Sequence, residues 1–250
     1  MNAILVLARK ESGELLLSAR GLIWLLAVSG ALSAFALLLV SDTELSLLDN
    51  AQVVYDMIGI ITALGALLAL VVGTDALAGE RERGSFMPLL LAPVSRGGIL
   101  FGKLSGVTVA WAVMYALSLP YLWAVGSTGQ NMVDGMIVLL VLGTPVVLAF
   151  GFFGLGLGCW ASSTKNALLT GTVSLVLSAS PLLLGPSLRQ SAIGKIFDAI
   201  NPFSAAINAF DAVIVDSQSM AMQAHHVLIA CAWLLAAVGF AHFGFRRMYR

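Results

Sequence analysis

Six long apolar runs, at residues 22–40, 53–74, 99–123, 136–159, 168–184 and 227–245, constrain this chain more than any other feature. Each falls in the range of roughly 17–25 residues that an α-helix needs to cross the hydrocarbon of a bilayer. Composition leaves little alternative. The chain is 59% hydrophobic and 10% charged, against about 25% charged for an average soluble domain. So few charges cannot cover the surface of a soluble fold, and the bilayer must act as the solvent. The expectation is an all-α integral membrane protein with six transmembrane helices in a single transmembrane domain, residues 1–250. The formal net charge is zero, which gives no support for nucleic-acid binding. Cys159 and Cys231 both lie inside apolar runs and read as small packed residues, not as metal ligands or a disulfide.

Residues 3–20 place Ile4, Leu7, Ala8, Leu15 and Leu16 at a period near 3.6, with Arg9, Lys10, Glu11 and Glu14 elsewhere. That pattern predicts an amphipathic helix lying along the membrane surface. The first run follows without a small-residue cleavage site and reads as a retained span. With six spans both termini share one side. Arg9, Lys10, Arg20, Arg81, Arg83, Arg96, Lys103, Lys165, Arg246, Arg247 and Arg250 fall on that side, and only Arg189 and Lys195 on the other. The positive-inside rule makes both termini cytoplasmic, together with the loop at 75–97 and the turn carrying Lys165. Tyr55, Tyr121 and Trp123 then fall at the outer aromatic belt, and Trp24, Trp160 and Tyr249 at the inner one. The outer connection, 186–224, carries apolar residues at helical spacing from Ile193 to Ile214, broken at Asn201-Pro202. Two short helices resting in the outer interface are predicted there.

The spans hold no carboxylate, ammonium or guanidinium at depth. Lys103 is the nearest approach, close enough to the start of its span to snorkel back to water. Carriers driven by ion gradients usually place an ionisable group at mid-membrane, so the energy for any uphill movement is expected from a partner. Gly97-Gly-Ile-Leu-Phe-Gly102-Lys103-Leu104 approaches the phosphate-loop pattern, but Leu104 replaces the hydroxyl that would hold magnesium, and the segment opens an apolar helix with no strand before it. No ATP site is expected on this chain. His225, His226 and His242 lie at the ends of the last span, and Ser174, Ser178 and Ser180 in the fifth, with no acidic partner to orient a base. An enzyme is not expected. Met220, Met222, His225 and His226 are weak candidates for a soft metal, and amphipathic packing explains them as well. Gly154 and Gly158, in small-xxx-small spacing, suit close packing within the bundle or against another subunit.

The densest block of charge is Gly79-Glu80-Arg81-Glu82-Arg83-Gly84-Ser85-Phe86, followed by Leu89-Leu90-Leu91 and the stop Pro93-Val94-Ser95-Arg96. A short helix that is both apolar and charged, on the cytoplasmic face, suits docking into a groove of another protein. The run Ala78 to Gly84, with the leucines and Pro93-Val-Ser-Arg96, resembles the loop between spans two and three of type-2 ABC exporter permeases. Arg9-Lys10-Glu11, Trp160-Ala-Ser-Ser-Thr-Lys165 and Asn201-Pro202-Phe203 extend the likeness over most of the chain. The resemblance implies a transmembrane half that pairs with a second permease half, homodimeric or heterodimeric, in a bacterial-type inner membrane. It implies docking on a separate ABC ATPase subunit, which would hold the ATP and Mg, through Glu80, Arg81, Glu82, Arg83, Gly84, Phe86, Leu89, Leu90, Pro93 and Arg96. In that picture Glu80, Glu82 and Arg83 bound the docking helix, Phe86, Leu89 and Leu90 offer its apolar contact, and Pro93 and Arg96 end it. Thr74-Asp75-Ala76 also resembles the permease that serves nitrous oxide reductase maturation. The reading from another class is a membrane scaffold subunit that transports nothing.

Overall fold

The computed structural model describes residues 10, 13, 18–41, 50–86, 95–127, 131–180 and 191–248. Every regular element among them is helical: α1 (Ala19–Ser41), α2 (Asn50–Glu82), α3 (Arg96–Gly126), α4 (Met132–Trp160), α5 (Thr164–Ala179), α6 (Ala192–Ile200), α7 (Pro202–Val215) and α8 (Met220–Arg247). Five of these, α1, α2, α3, α4 and α8, are long and apolar enough to cross a membrane. The run expected to form another span, 168–184, corresponds to α5, which has sixteen residues as described. Of the predicted surface helix at 3–20, Lys10 and Gly13 are helical and most of the rest lies outside the described residues.

The centre of the bundle is the pair α2 and α4. Glycines on α4 let the two backbones touch: a Cβ on Gly73 of α2 would overlap the Gly151 carbonyl oxygen, and one on Gly154 would meet Leu70 O at 2.6 Å. Gly158 faces Thr74 O and Ala78 N. The glycine face is therefore covered by α2 of the same chain, which is the small-residue packing that replaces hydrophobic driving force inside a bilayer. α3 and α8 close on this pair. α1 lies at the edge, where Ser29 and Ser33 bond the Tyr121 hydroxyl of α3 at 2.6 and 3.1 Å. The polar end of Tyr121 is thus satisfied by a neighbouring helix.

Three elements depart from expectation. α2 continues helical through a π-turn at Asp75–Gly79 to Glu82, so the charged block occupies the end of a helix that the sequence reading had ended at 74. α4 contains a π-turn at Leu139–Gly143, immediately before Pro145. The missing N–H and the ring of that proline fall where the hydrogen-bond ladder has already shifted. α7 is enclosed by protein: Phe203 and Phe210 are fully buried and seven of its first eight residues face protein. Its buried Ser204 is satisfied by Asp198, to which its hydroxyl donates at 2.7 Å. α6 keeps Ile196 and Ile200 exposed, as a surface helix would. Asn201 joins the two helices by capping: its Oδ1 accepts from Phe203 N and its Nδ2 donates to Ser178 O, both at 2.8 Å.

Charge also reaches further into the helices than expected. Asp56 is half-buried in the second turn of α2, where Gln52 donates to it at 3.3 Å. Lys103 does not snorkel to water; it is 1% exposed.

Candidate functional site

The site is the end of α2, where four consecutive charged residues each take a different partner. Gly84 adopts φ +71°, and the turn closes with Ser85 N donating to Glu80 O at 3.0 Å and Gly84 N to Arg81 O at 3.2 Å. This is a Schellman stop, which needs a left-handed residue that glycine supplies without a Cβ penalty. The stop fixes the directions in which the preceding side chains leave the helix.

Glu80 turns inward, 6% exposed, and its Oε1 sits 2.6 Å from Lys103 Nζ of α3. Its Oε2 is buried with no hydrogen-bond partner. Arg81 reaches the end of α4 and donates to Cys159 O at 3.2 Å and Ala161 O at 2.6 Å. These carbonyls belong to the last turn, which has no intrahelical donors left and carries the negative end of the helix dipole. Glu82 does the converse for α5, accepting from Thr164 N at 2.7 Å while Ser163 Oγ accepts from Asn166 N at 3.2 Å. A carboxylate at a helix N-terminus is favoured by the same dipole. Arg83 folds back on Asp75, with contacts of 3.2 to 3.3 Å. Both side chains of that pair are 44% exposed, so it contributes little stability. A Cβ on Gly79 would fill the space through which Asp75 and Arg83 meet.

Together these contacts form a clasp that holds the ends of α2, α3, α4 and α5 at fixed separations. The last turn of α8 joins it through Trp160, whose ring lies parallel to Phe240 at 6.4 Å and carries the Arg247 guanidinium 4.4 Å from its centroid. Phe86 is buried with Leu77, Ile99, Leu100 and Phe245. It therefore anchors the chain just past the stop, where the expectation has it offering an apolar contact to a partner. Glu80 likewise faces its own fold. Leu89, Leu90 and Pro93 lie outside the described residues, and Arg96 is the first residue of α3. The cap of that helix is Ser95, whose Oγ accepts from Gly98 N at 3.1 Å.

Four residues here take partners that the sequence expectations do not give them. Ser95 was legible as an N-cap three residues before Gly98. Asp75 and Thr164 carry no distinguishing signal, because their role exists only once α2 lies beside its neighbours. Lys103 was noticed and assigned to water, and only the position of Glu80 redirects it. The weak metal candidates do not close into a ligand set. The rings of His225 and His226 touch, with centroids 3.7 Å apart, but Met220 packs on the core and Met222 is 71% exposed. Among the described residues no three or more His, Cys, Asp or Glu side chains gather where a metal could sit.

Comparison with known proteins agrees with this architecture. The family model described as "ABC-2 family transporter protein" matches residues 5–249. The chain is 32% identical to the "Probable ABC transporter permease protein NosY" of Stutzerimonas stutzeri, over 74% of this chain and 65% of that protein. It is 31% identical to the protein of the same name from Pseudomonas aeruginosa, over 78% of this chain and 64% of the relative. The chain thus spans just under two thirds of the length of these curated relatives. With helices that suit a bilayer, a charged clasp at one end of the bundle and a family match over nearly its whole length, this multi-pass membrane protein belongs to the ABC-2 transporter family.

Proposed function

We propose that the chain forms one half of a six-span export pathway, driven by a separate ATPase subunit that docks on residues 87–94. The clasp is the observation that carries this reading. Ser85 and Phe86 leave the end of α2 locked to Lys103, Cys159, Ala161 and Thr164, and Ser95 starts α3 with its own cap. Both ends of the docking segment are therefore tied to helices α2 and α3. Force applied there reaches the helices that cross the membrane.

In this reading the ATPase holds ATP and Mg, both termini and the clasp face the cytoplasm, and α5 with the segment after it supplies the sixth span. A second permease half, identical or related, completes the pathway in the inner membrane. Leu89 and Leu90 supply the apolar contact, and the charges at 80–83 hold the segment in place. The test is co-purification of the solubilised permease from its native membrane, comparing wild type with Leu89→Asp/Leu90→Asp. A stoichiometric ATPase with the wild type, lost in the variant while the permease stays monodisperse, is the expected result. No ATPase with intact wild type points to the scaffold reading. An ATPase retained by the variant moves the docking surface elsewhere.

The narrower reading, service to nitrous oxide reductase maturation, is favoured by the resemblance at Thr74-Asp75-Ala76 and by relatives bearing the name NosY. Its test is the activity of that reductase in a strain lacking the permease.

A further inference from the structure

Helices α5 and α8 both pack on α4 but scarcely touch each other, and the space between them is a cleft of about 380 Å³. Phe150 and Phe153 of α4 form its floor, Ser174 and Ser178 one wall, and Trp233 to Phe240 of α8 the other. Alanine at 149, 236 and 237 leaves the space open. The aromatic walls are set by their own contacts, Phe153 against Phe240 and Phe150 against Phe203, each pair at 5.5 Å.

The chemistry of the walls selects the guest. No charged residue lines the cleft, and three of its polar groups are bonded elsewhere. Trp233 Nε1 donates to Ile200 O at 2.6 Å, Ser174 Oγ to Thr170 O at 2.9 Å, and Ser178 O accepts from Asn201. Water at roughly 30 Å³ each would need about a dozen molecules, every one seeking 2–4 polar partners that these walls do not offer. Along α8, the wall from Trp233 to Phe240 covers about 10 Å of helix rise. At about 1.3 Å per carbon in an extended chain, estimated from a 1.52 Å C–C bond, that length suits roughly eight methylenes. The cleft also opens sideways. Ala236 is exposed at its mouth, and the outer faces of the flanking helices carry exposed Leu169, Val173 and Leu235. In a bilayer those faces meet lipid tails.

We propose that this cleft holds one acyl chain of a membrane lipid, inserted from the side between α5 and α8. The inference needs α4, α5 and α8 to lie in a bilayer and does not depend on the docking or export reading. To test it, the full-length permease is placed in phosphatidylcholine nanodiscs doped with a phosphatidylcholine carrying a diazirine midway along one acyl chain, irradiated, and mapped by peptide mass spectrometry. The expected result is labelling of Phe150 or Phe153, on the floor, as well as of outward residues such as Leu235. Ala236→Phe, which fills the mouth, should reduce floor labelling to the level of the unirradiated sample and leave Leu235 labelled. Labelling confined to outward residues in the wild type overturns the proposal, and needs no variant to be seen. Floor labelling unchanged in a monodisperse Ala236→Phe also overturns it. So does crosslinking of the cleft to a second copy of the chain in place of lipid.

Discussion

Replacing Lys103 by Met tests whether the clasp is a structural necessity. Glu80 has a single polar contact, Oε1 on Lys103 Nζ at 2.6 Å, and its other oxygen is buried without a partner. Lys103→Met keeps the length of the side chain and removes the cation, leaving a carboxylate with no compensation. Breaking a buried pair from one side costs about 3–5 kcal/mol. For a chain of this length each kcal/mol moves the midpoint by about 2–4 °C, so a fall of roughly 6–20 °C is expected. Glu80→Gln alone should also destabilise, by less, because the amide oxygen still accepts from the ammonium while the charge attraction is lost. The double variant Glu80→Leu/Lys103→Met should recover most of the loss, since apolar residues of similar volume replace buried pairs at little or no cost. The assay is thermal unfolding of detergent-purified protein at one scan rate, read as a double-mutant cycle. Single variants within about 1 °C of wild type, or a double variant as unstable as the sum of the singles, would refute the argument that the pair is buried and mutually dependent.

Three further outcomes follow from the geometry. Gly73→Ala places a methyl against the Gly151 backbone, which cannot yield, so a loss of about 1–3 kcal/mol is expected; Gly30→Ala, with nothing within 4 Å, should be silent in the same unfolding assay. Gly84→Ala forces a Cβ into the left-handed region and should cost about 1–2 kcal/mol; Gly84→Asn should be milder, and equal effects would remove the backbone explanation. Asn201→Ala loses the cap of α7 and the bond to Ser178 O, for about 0.5–2 kcal/mol. Its check is the midpoint together with protease sensitivity of the connection between α5 and α7, which should rise.

Much of the fold was legible because the signals are local. Apolar length marked the runs that became α1, α2, α3, α4 and α8, and the break at Asn201-Pro202 marked the junction of α6 and α7. The misread segments share a cause. Residues 75–82 were assigned to a loop because charge in a short segment implies water, yet they stay helical because Lys103, the α4 carbonyls and Thr164 N meet those charges. α7 reads as amphipathic, with Ser204, Asn208 and Asp211 along one face, and only the packing of its neighbours encloses it. The small-residue spacing of Gly154 and Gly158 suits packing within the bundle or against another subunit, and spacing alone does not say that α2 meets these glycines.

The sequence by itself determined that this chain belongs in a bilayer, where its long apolar helices run, and that Asn201-Pro202 divides α6 from α7. Those properties depend on composition, period and capping within a few residues. Only the tertiary structure decided that Glu80 meets Lys103 across 23 positions of sequence, that Arg81 and Glu82 serve the ends of other helices, and that α5 and α8 leave a cleft between them. The physical reason is that a charge carries no record of its partner. The partner is set by which helix ends packing brings within about 3 Å, and that follows from the way α2 and α4 lock together along their glycines.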